Sequence, residues 1–194
     1  MEKTIPNRSQ ALEILREYNE NESLIKHALA VESVMLHFAE VLNEEDKDKW
    51  GVIGLVHDLD YEKYPDQHCR KTREILEERN WPDDYIRAIE SHGWNICTDV
   101  EPQEKMEKIL YTIDELTGLI MATALLRPSK SVLDLNVKSV KKKWKQKGFA
   151  AGVNRQLIEA GASSLGMEMD VIIAETIKGM QKVAEEIGLK GEKN

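Results

Sequence analysis

The sequence predicts an all-α fold, and three observations carry that expectation. Apolar residues recur at three- and four-residue steps in nearly every segment. Val, Ile and Thr occur in pairs but never alternate with polar residues over the length of a strand. Proline and glycine fall between the apolar runs, where helices start and stop.

The elements follow in order. A first helix is expected over 9–18 and a second over 23–42. A third is expected over 46–59, with Trp50, Ile53 and Val56 on its inner side, and a fourth over 66–79. Trp81-Pro82-Asp83 opens a fifth, which Gly93 closes after His92. Glu101-Pro102 opens a long sixth reaching 126, with proline in the first turn, where an N–H has no partner anyway. Arg127-Pro128-Ser129 breaks the chain, because the residue before a proline is pushed out of helical conformation. Two shorter helices are expected over 136–147 and 154–165. The last is the clearest: Met169, Ile172, Ile173, Thr176, Ile177, Met180, Val183, Ala184 and Ile187 line one face, and Gly188 follows as a stop.

Composition sets outer bounds. The chain has 194 residues, 41% hydrophobic and 32% charged, which is a globular composition able to bury a core without staples. The longest charge-free stretch, 116–126, is too short for the roughly twenty residues of a membrane span. The N-terminal segment has no apolar run of the secretory kind, and the two cysteines, Cys69 and Cys97, share no metal-ligand spacing. A cytoplasmic protein with reduced thiols is therefore expected. The net charge of −8 argues against general nucleic-acid binding. That charge is uneven: residues 1–126 carry 14 basic against 27 acidic side chains, and residues 127–194 carry 13 against 8. The seam at 127–131 divides the chain into an acidic helical part, 1–126, and a basic helical extension, 127–194, expected to pack on it.

Five histidines were placed on their helical faces. His27 shares the apolar stripe of Leu24, Val31, Val34 and Phe38, whereas His37 shares the polar side of Lys26, Glu40 and Glu44. His57 follows Ile53 and Trp50 by one and two turns. His68 begins a helix whose inner face continues through Thr72, Ile75 and Leu76, and His92 ends a helix beside Ile89. Asp58 follows an uncharged run from Gly51 to His57, and Asp114 sits mid-helix among Leu110, Thr117 and Met121. Burying a lone carboxylate costs several kcal/mol or forces protonation, and a bound cation removes the problem. Glu115, by contrast, has the character of a solvated residue.

His27, the doublet His57-Asp58 and the later Asp114 resemble the H…HD…D signature of the HD-domain superfamily, over about residues 20–126. The resemblance implies an HD-type helical core followed by a C-terminal helical subdomain. It implies metal-dependent hydrolysis of a nucleotide or small phosphate ester through a metal-bound hydroxide. His68 and His92 fill the two positions that dinuclear members use for a second metal. On this reading His27, His57 and Asp114 hold one ion, His68 and His92 hold the other, and Asp58 bridges them as the catalytic residue. One departure concerns the lysine that many dinuclear relatives carry three residues after the aspartate; that position is Tyr61 here, and Lys63 comes two later.

A donor set of imidazoles and carboxylates suits two divalent transition metals, Fe, Mn, Zn, Ni or Co, with Mg as a further option. Two alternatives share the ligands: a di-iron oxygenase, and a non-catalytic metal- or ligand-binding module. The lysine run Lys138, Lys141, Lys142, Lys143, Lys145 and Lys147 is either a solvated helix face or a receiver of the anionic substrate. In the second case the helical phase puts Lys141, then Lys142, at the pocket rim. Cys69 reads as a core thiol.

Overall fold

The computed structural model describes residues 3–146 and 148–191. Among these the chain forms nine α-helices and no strand, the all-α fold expected from the sequence. The helices are α1 (Arg8–Tyr18), α2 (Glu22–Val41), α3 (Lys47–Val56), α4 (Arg70–Glu78), α5 (Asp83–Ser91), α6 (Lys105–Leu125), α7 (Val137–Trp144), α8 (Arg155–Leu165) and α9 (Met169–Lys182). No helix among the described residues is long and apolar enough to cross a membrane.

Side-chain caps fix where most helices begin. Asn7, Asn21, Asp46, Asn136 and Asn154 each accept a first-turn N–H with the side chain. Each such cap contributes about 1 kcal/mol by satisfying a donor the helix leaves free. Glu104 and Glu107 form a reciprocal box at the start of α6, so this helix begins after Pro102 rather than at it.

The ends depart from the expected ranges in four further places. The segment 66–79 is not one helix: a 3-10 turn spans Pro65–Gln67, the chain bends at His68 and Cys69, and only then does α4 begin. The buried Asp60 carboxylate takes the Thr72 N–H at 2.8 Å, so one free donor in the first turn of α4 is met from an earlier turn. α3 stops at Val56, and His57 to Asp60 continue as turns closed by Leu59 N–H to Val56 O and Tyr61 N–H to Asp58 O. α7 stops at Trp144, and Lys147 lies outside the described residues. α9 stops at Lys182, and the chain turns through to Gly188, which carries φ +72°.

α2 and α6 form the stem against which the rest packs: α3 and α9 lie on α2, and α8 lies on α6. A single apolar core joins Phe38 and Met35 of α2, Ile53 of α3 and Leu110 and Ile113 of α6 to Ile173 and Met180 of α9. The basic C-terminal helices thus share the core of the acidic part. His37, placed by phase on the wet side of α2, is buried instead, because α9 covers that face; its Nε2 lies 2.7 Å from Glu175 Oε2. Periodicity within α2 reveals an apolar stripe but not a polar contact to a later helix.

Glycines set the closest crossings. A Cβ on Gly54 of α3 would come within 3.1 Å of the Val31 carbonyl oxygen of α2, and one on Gly179 of α9 within 2.7 Å of Val34 Cα. These contacts are to backbone, which cannot step aside. Gly179→Ala is therefore expected to cost about 1–3 kcal/mol through overpacking, read as a lower denaturant midpoint. Gly118→Ala in α6 serves as the contrast, since a Cβ there meets nothing within 4 Å. It is expected to leave stability unchanged or raise it by up to about 1 kcal/mol through helix propensity.

Candidate metal centre

Five elements converge on one cavity of about 320 Å³. His27 comes from α2, Asp58 from the turn beyond α3, His68 from the bend before α4, His92 from the end of α5, and Asp114 from α6, while His57, at the end of α3, is fully buried just behind the cavity wall. All six residues predicted as ligands meet here. His27, His57, Asp58 and Asp114 each offer an atom within 4.8 Å of the others, a group able to hold a metal ion. His27 Nε2 lies 2.8 Å from Asp114 Oδ1, and His57 Nε2 lies 3.3 Å from the same oxygen and 3.4 Å from Asp58 Oδ2. Asp58 Oδ1 points the other way, 3.4 Å from both His68 Nε2 and His92 Nε2. Donor atoms about 2.1 Å from a common ion and at right angles to one another would be separated by about 3.0 Å. The observed spacings match that scale, and the two Asp58 oxygens face two separate histidine groups.

The tautomers can be read from the outward-facing nitrogens. His57 Nδ1 donates to the Gly54 carbonyl at 2.8 Å, and His92 Nδ1 donates to the Ile89 carbonyl. His68 Nδ1 donates to Asp60 Oδ1 at 2.7 Å. A carbonyl or carboxylate only accepts, so each Nδ1 carries a proton and each neutral ring presents an Nε2 lone pair to the cavity. His68 Nε2 and His92 Nε2 are 3.2 Å apart, lone pair to lone pair in that state. His57 is fully buried and its Nε2 has no hydrogen-bond partner. A cation between these atoms resolves both features, so the residues present fit a metal.

Without a cation, protons do part of the work. Burial pushes His57 down, but Asp58 and Asp114 outweigh it and hold the imidazole well above the usual histidine range. Asp58 and Asp114 are held well below the usual carboxylate range by His57 and the other imidazoles, against the opposing effect of their burial. Burial also lowers His68, yet the bond to Asp60 and the charge of Asp58 raise it overall.

The structure adds to the site residues that the sequence does not assign to it. Asp60 is fully buried; one oxygen orients His68 and the other anchors the start of α4. Its place two residues after Asp58, just beyond the uncharged run that ends at His57, is the one available signal. Glu115 is not a solvated residue: it lines the cavity, takes the Asn154 N–H at 3.2 Å, and is pushed up by burial and by the charge of Asp114. Tyr61 and Ile96 form exposed walls of the cavity.

The lysines do not sit at this rim. Lys141 and Lys142 line a different cavity with Lys138, Lys145 and Asp170, and Lys141 Nζ donates to Asp170 Oδ1 at 2.7 Å. The C-terminal residues that do reach the His–Asp cavity lie later: Gly152 lines it, and Asn154 meets Glu115. The Arg155 guanidinium holds this connection in place by donating to the carbonyls of Trp144, Phe149, Ala150 and Val153. The phase of α7 says which side faces the core; the path of the loop after it decides what covers the site.

An all-helical bundle whose histidines and aspartates gather in this order defines a class, and comparison with known families agrees. The HD domain family matches residues 24–123, just over half of the chain. The chain belongs to the HD-domain family, a superfamily of metal-dependent phosphohydrolase type. No solved structure matches the chain.

Two outcomes follow from this geometry. A cation must displace the proton that His57 holds at neutral pH, so metal affinity is expected to rise with pH up to the raised pKa of His57 and to weaken below it. Calorimetric titration in two buffers of different ionisation enthalpy at pH 7 should show net proton release; identical heats in both would contradict it. Asp60→Asn offers His68 an amide N–H in place of an acceptor, which moves the ring proton onto Nε2. This variant is expected to lose about 10–100-fold in affinity for one of two bound ions, measured by competition with a chromophoric chelator.

Proposed function

We propose that the protein hydrolyses a nucleotide or another small phosphate ester with the help of two divalent metal ions. The observation that carries this reading is the division of Asp58: Oδ1 faces His68 and His92, and Oδ2 faces His57. His27, His57 and Asp114 form one set of donors, His68 and His92 the other, and Asp58 belongs to both. Bound there, the ions supply Lewis-acid polarisation of the phosphoryl oxygens and an acidified water as nucleophile.

The protein's own groups do the rest. Asp60, Gly54 O and Ile89 O keep the imidazoles in the tautomer that presents Nε2. The six donors are too few to fill the coordination of two ions, so positions remain for water and substrate. The cavity is open on the side of Tyr61 and Ile96, whose exposed apolar surfaces give the leaving group something to pack against. Donors of N and O type suit Mn, Fe, Co, Ni or Zn, and Mg is a weaker fit because imidazole is a poor ligand for it.

The test is a phosphoester panel assayed with chelator-treated protein to which Mn, Co, Ni or Mg is returned. Turnover is expected with at least one of the transition metals, equally in air and under strict anaerobiosis, and Asp58→Ala is expected to lower it by at least about a hundredfold. Metal addition should also raise the melting temperature of the wild-type protein, since an ion at 100 times its Kd stabilises the fold by about 2.7 kcal/mol. Turnover confined to iron and oxygen would favour the oxygenase, and inertness across the panel would favour the binding module.

A further inference from the structure

Two thiols sit against the metal centre and take no part in the reading above. Cys69 is fully buried, and its Sγ lies 3.2 Å from that of the exposed Cys97 in the turn after α5. The sulfurs meet over Gly93, where a Cβ would come within 2.5 Å of Cys97 Sγ and 2.6 Å of Cys69 Sγ. Only a residue without a side chain leaves room for the pair. The contact is tied to two histidines of the site: Cys69 follows His68, and Gly93, over which the sulfurs meet, follows His92. Cys69 Sγ is 4.0 Å from His92 Nε2, and Cys97 lines the same cavity as both histidines. The Cys69 backbone carries φ +66°, a conformation that residues with a side chain rarely adopt. That bend is what sends His68 and Cys69, neighbours in sequence, both to the inside. A disulfide needs a sulfur separation of about 2.05 Å. The remaining approach falls to Cys97, whose turn is exposed.

We propose that Cys69 and Cys97 are a peroxide-sensitive thiol pair whose oxidation to a disulfide weakens the hold of His68 and His92 on a metal ion. The second half rests on the reading of those histidines as ligands. In the first step the accessible Cys97 sulfur attacks one oxygen of a hydroperoxide. The O–O bond breaks, Cys97 becomes a sulfenic acid, and the other oxygen leaves as water or alcohol with the thiol proton. In the second step the Cys69 sulfur attacks the sulfenic sulfur. The S–S bond forms, the S–O bond breaks, and the departing hydroxide takes the Cys69 proton and leaves as water. Two thiols lose two protons and two electrons, and one hydroperoxide is reduced by them. Drawing Cys97 onto Cys69 moves the turn that follows His92 against the bend that carries His68, so the pair of Nε2 atoms cannot both keep their places.

The experiment treats the metal-free full chain with a small excess of hydrogen peroxide and reads intact mass and maleimide labelling under denaturing conditions. The expected product is about 2 Da lighter, has both thiols blocked within one chain, and regains them with dithiothreitol. Cys97→Ser should remove the mass loss, whereas Cys69→Ser should instead gain about 16 or 32 Da as oxygen adds to Cys97. Mn²⁺ titration of reduced and oxidised protein is then expected to show at least a tenfold loss of affinity for one of two ions on oxidation, roughly the effect of disturbing a ligand's support. Thiols that stay reactive, or that yield only oxygen adducts or cross-linked dimers, overturn the pair. A disulfide that leaves the Mn²⁺ titration unchanged overturns its link to the histidines. Reduced protein that takes up no Mn²⁺ overturns that link together with the metal reading, while mass and labelling still decide the thiol pair.

Discussion

Three imidazole N–H bonds govern the site. His57 and His92 each donate Nδ1–H to a carbonyl three residues earlier, Gly54 O and Ile89 O, in the last turns of α3 and α5. Both carbonyls lie in a last helical turn, where the usual i+4 N–H partner is missing, although Ile89 O also takes the His92 N–H at 3.3 Å. The histidine satisfies its own helix and, in its neutral form, thereby keeps its one proton on Nδ1 and leaves Nε2 as the lone pair. His68 reaches the same state through Asp60, because its bend offers no helical carbonyl. If these acceptors were absent, the neutral rings could carry their proton on Nε2 and donate it to the carboxylates instead of presenting a lone pair. Local helix ending, tautomer and metal fitness are therefore one fact at His57 and His92.

The packing supplies the precision that these bonds require. His27 and Asp114 stand on the two stem helices, and their contact at 2.8 Å depends on how closely α3, α8 and α9 are drawn onto that stem. Gly54, Gly161 and Gly179 each let a neighbouring helix approach to where a Cβ would collide. The same tightness explains how three aspartates and four imidazoles can be held largely out of water. Buried charge is tolerated where opposite charge is fixed beside it, and its separation is costly. Elsewhere the fold applies that rule without a metal: buried Glu32 is held by a two-pronged contact with Arg8, although burial still pushes its carboxyl up.

Much of this was legible in the sequence, for identifiable reasons. The all-α class and the starts of α1, α2, α3, α7 and α8 follow from apolar spacing and Asx caps, which are local properties. The six site residues were legible because titratable side chains on apolar faces are costly unless something pairs with them. What could not be read depends on distant partners. Asp60 acquires its meaning only when His68 and Thr72 fold over it, and the split of the fourth helix comes with that arrangement. His37 turned inward because α9 arrives from more than a hundred residues later to offer Glu175. Lys141 found Asp170 on that same helix, and the covering loop came from the chain beyond α7, which helical phase does not describe. The Cys69–Cys97 contact likewise joins residues 28 positions apart.

The central claim is that Asp58 stands between two cation positions. Anomalous scattering from crystals of the protein grown with Mn²⁺, recorded on both sides of the manganese edge, tests it directly. The account predicts two peaks about 3.5–4 Å apart, one among His27, His57 and Asp114 and one between His68 and His92, with an Asp58 oxygen in contact with each. Crystals with no peak in this cavity, or with a peak that leaves the Nε2 atoms of His57, His68 and His92 all unbound, would contradict it.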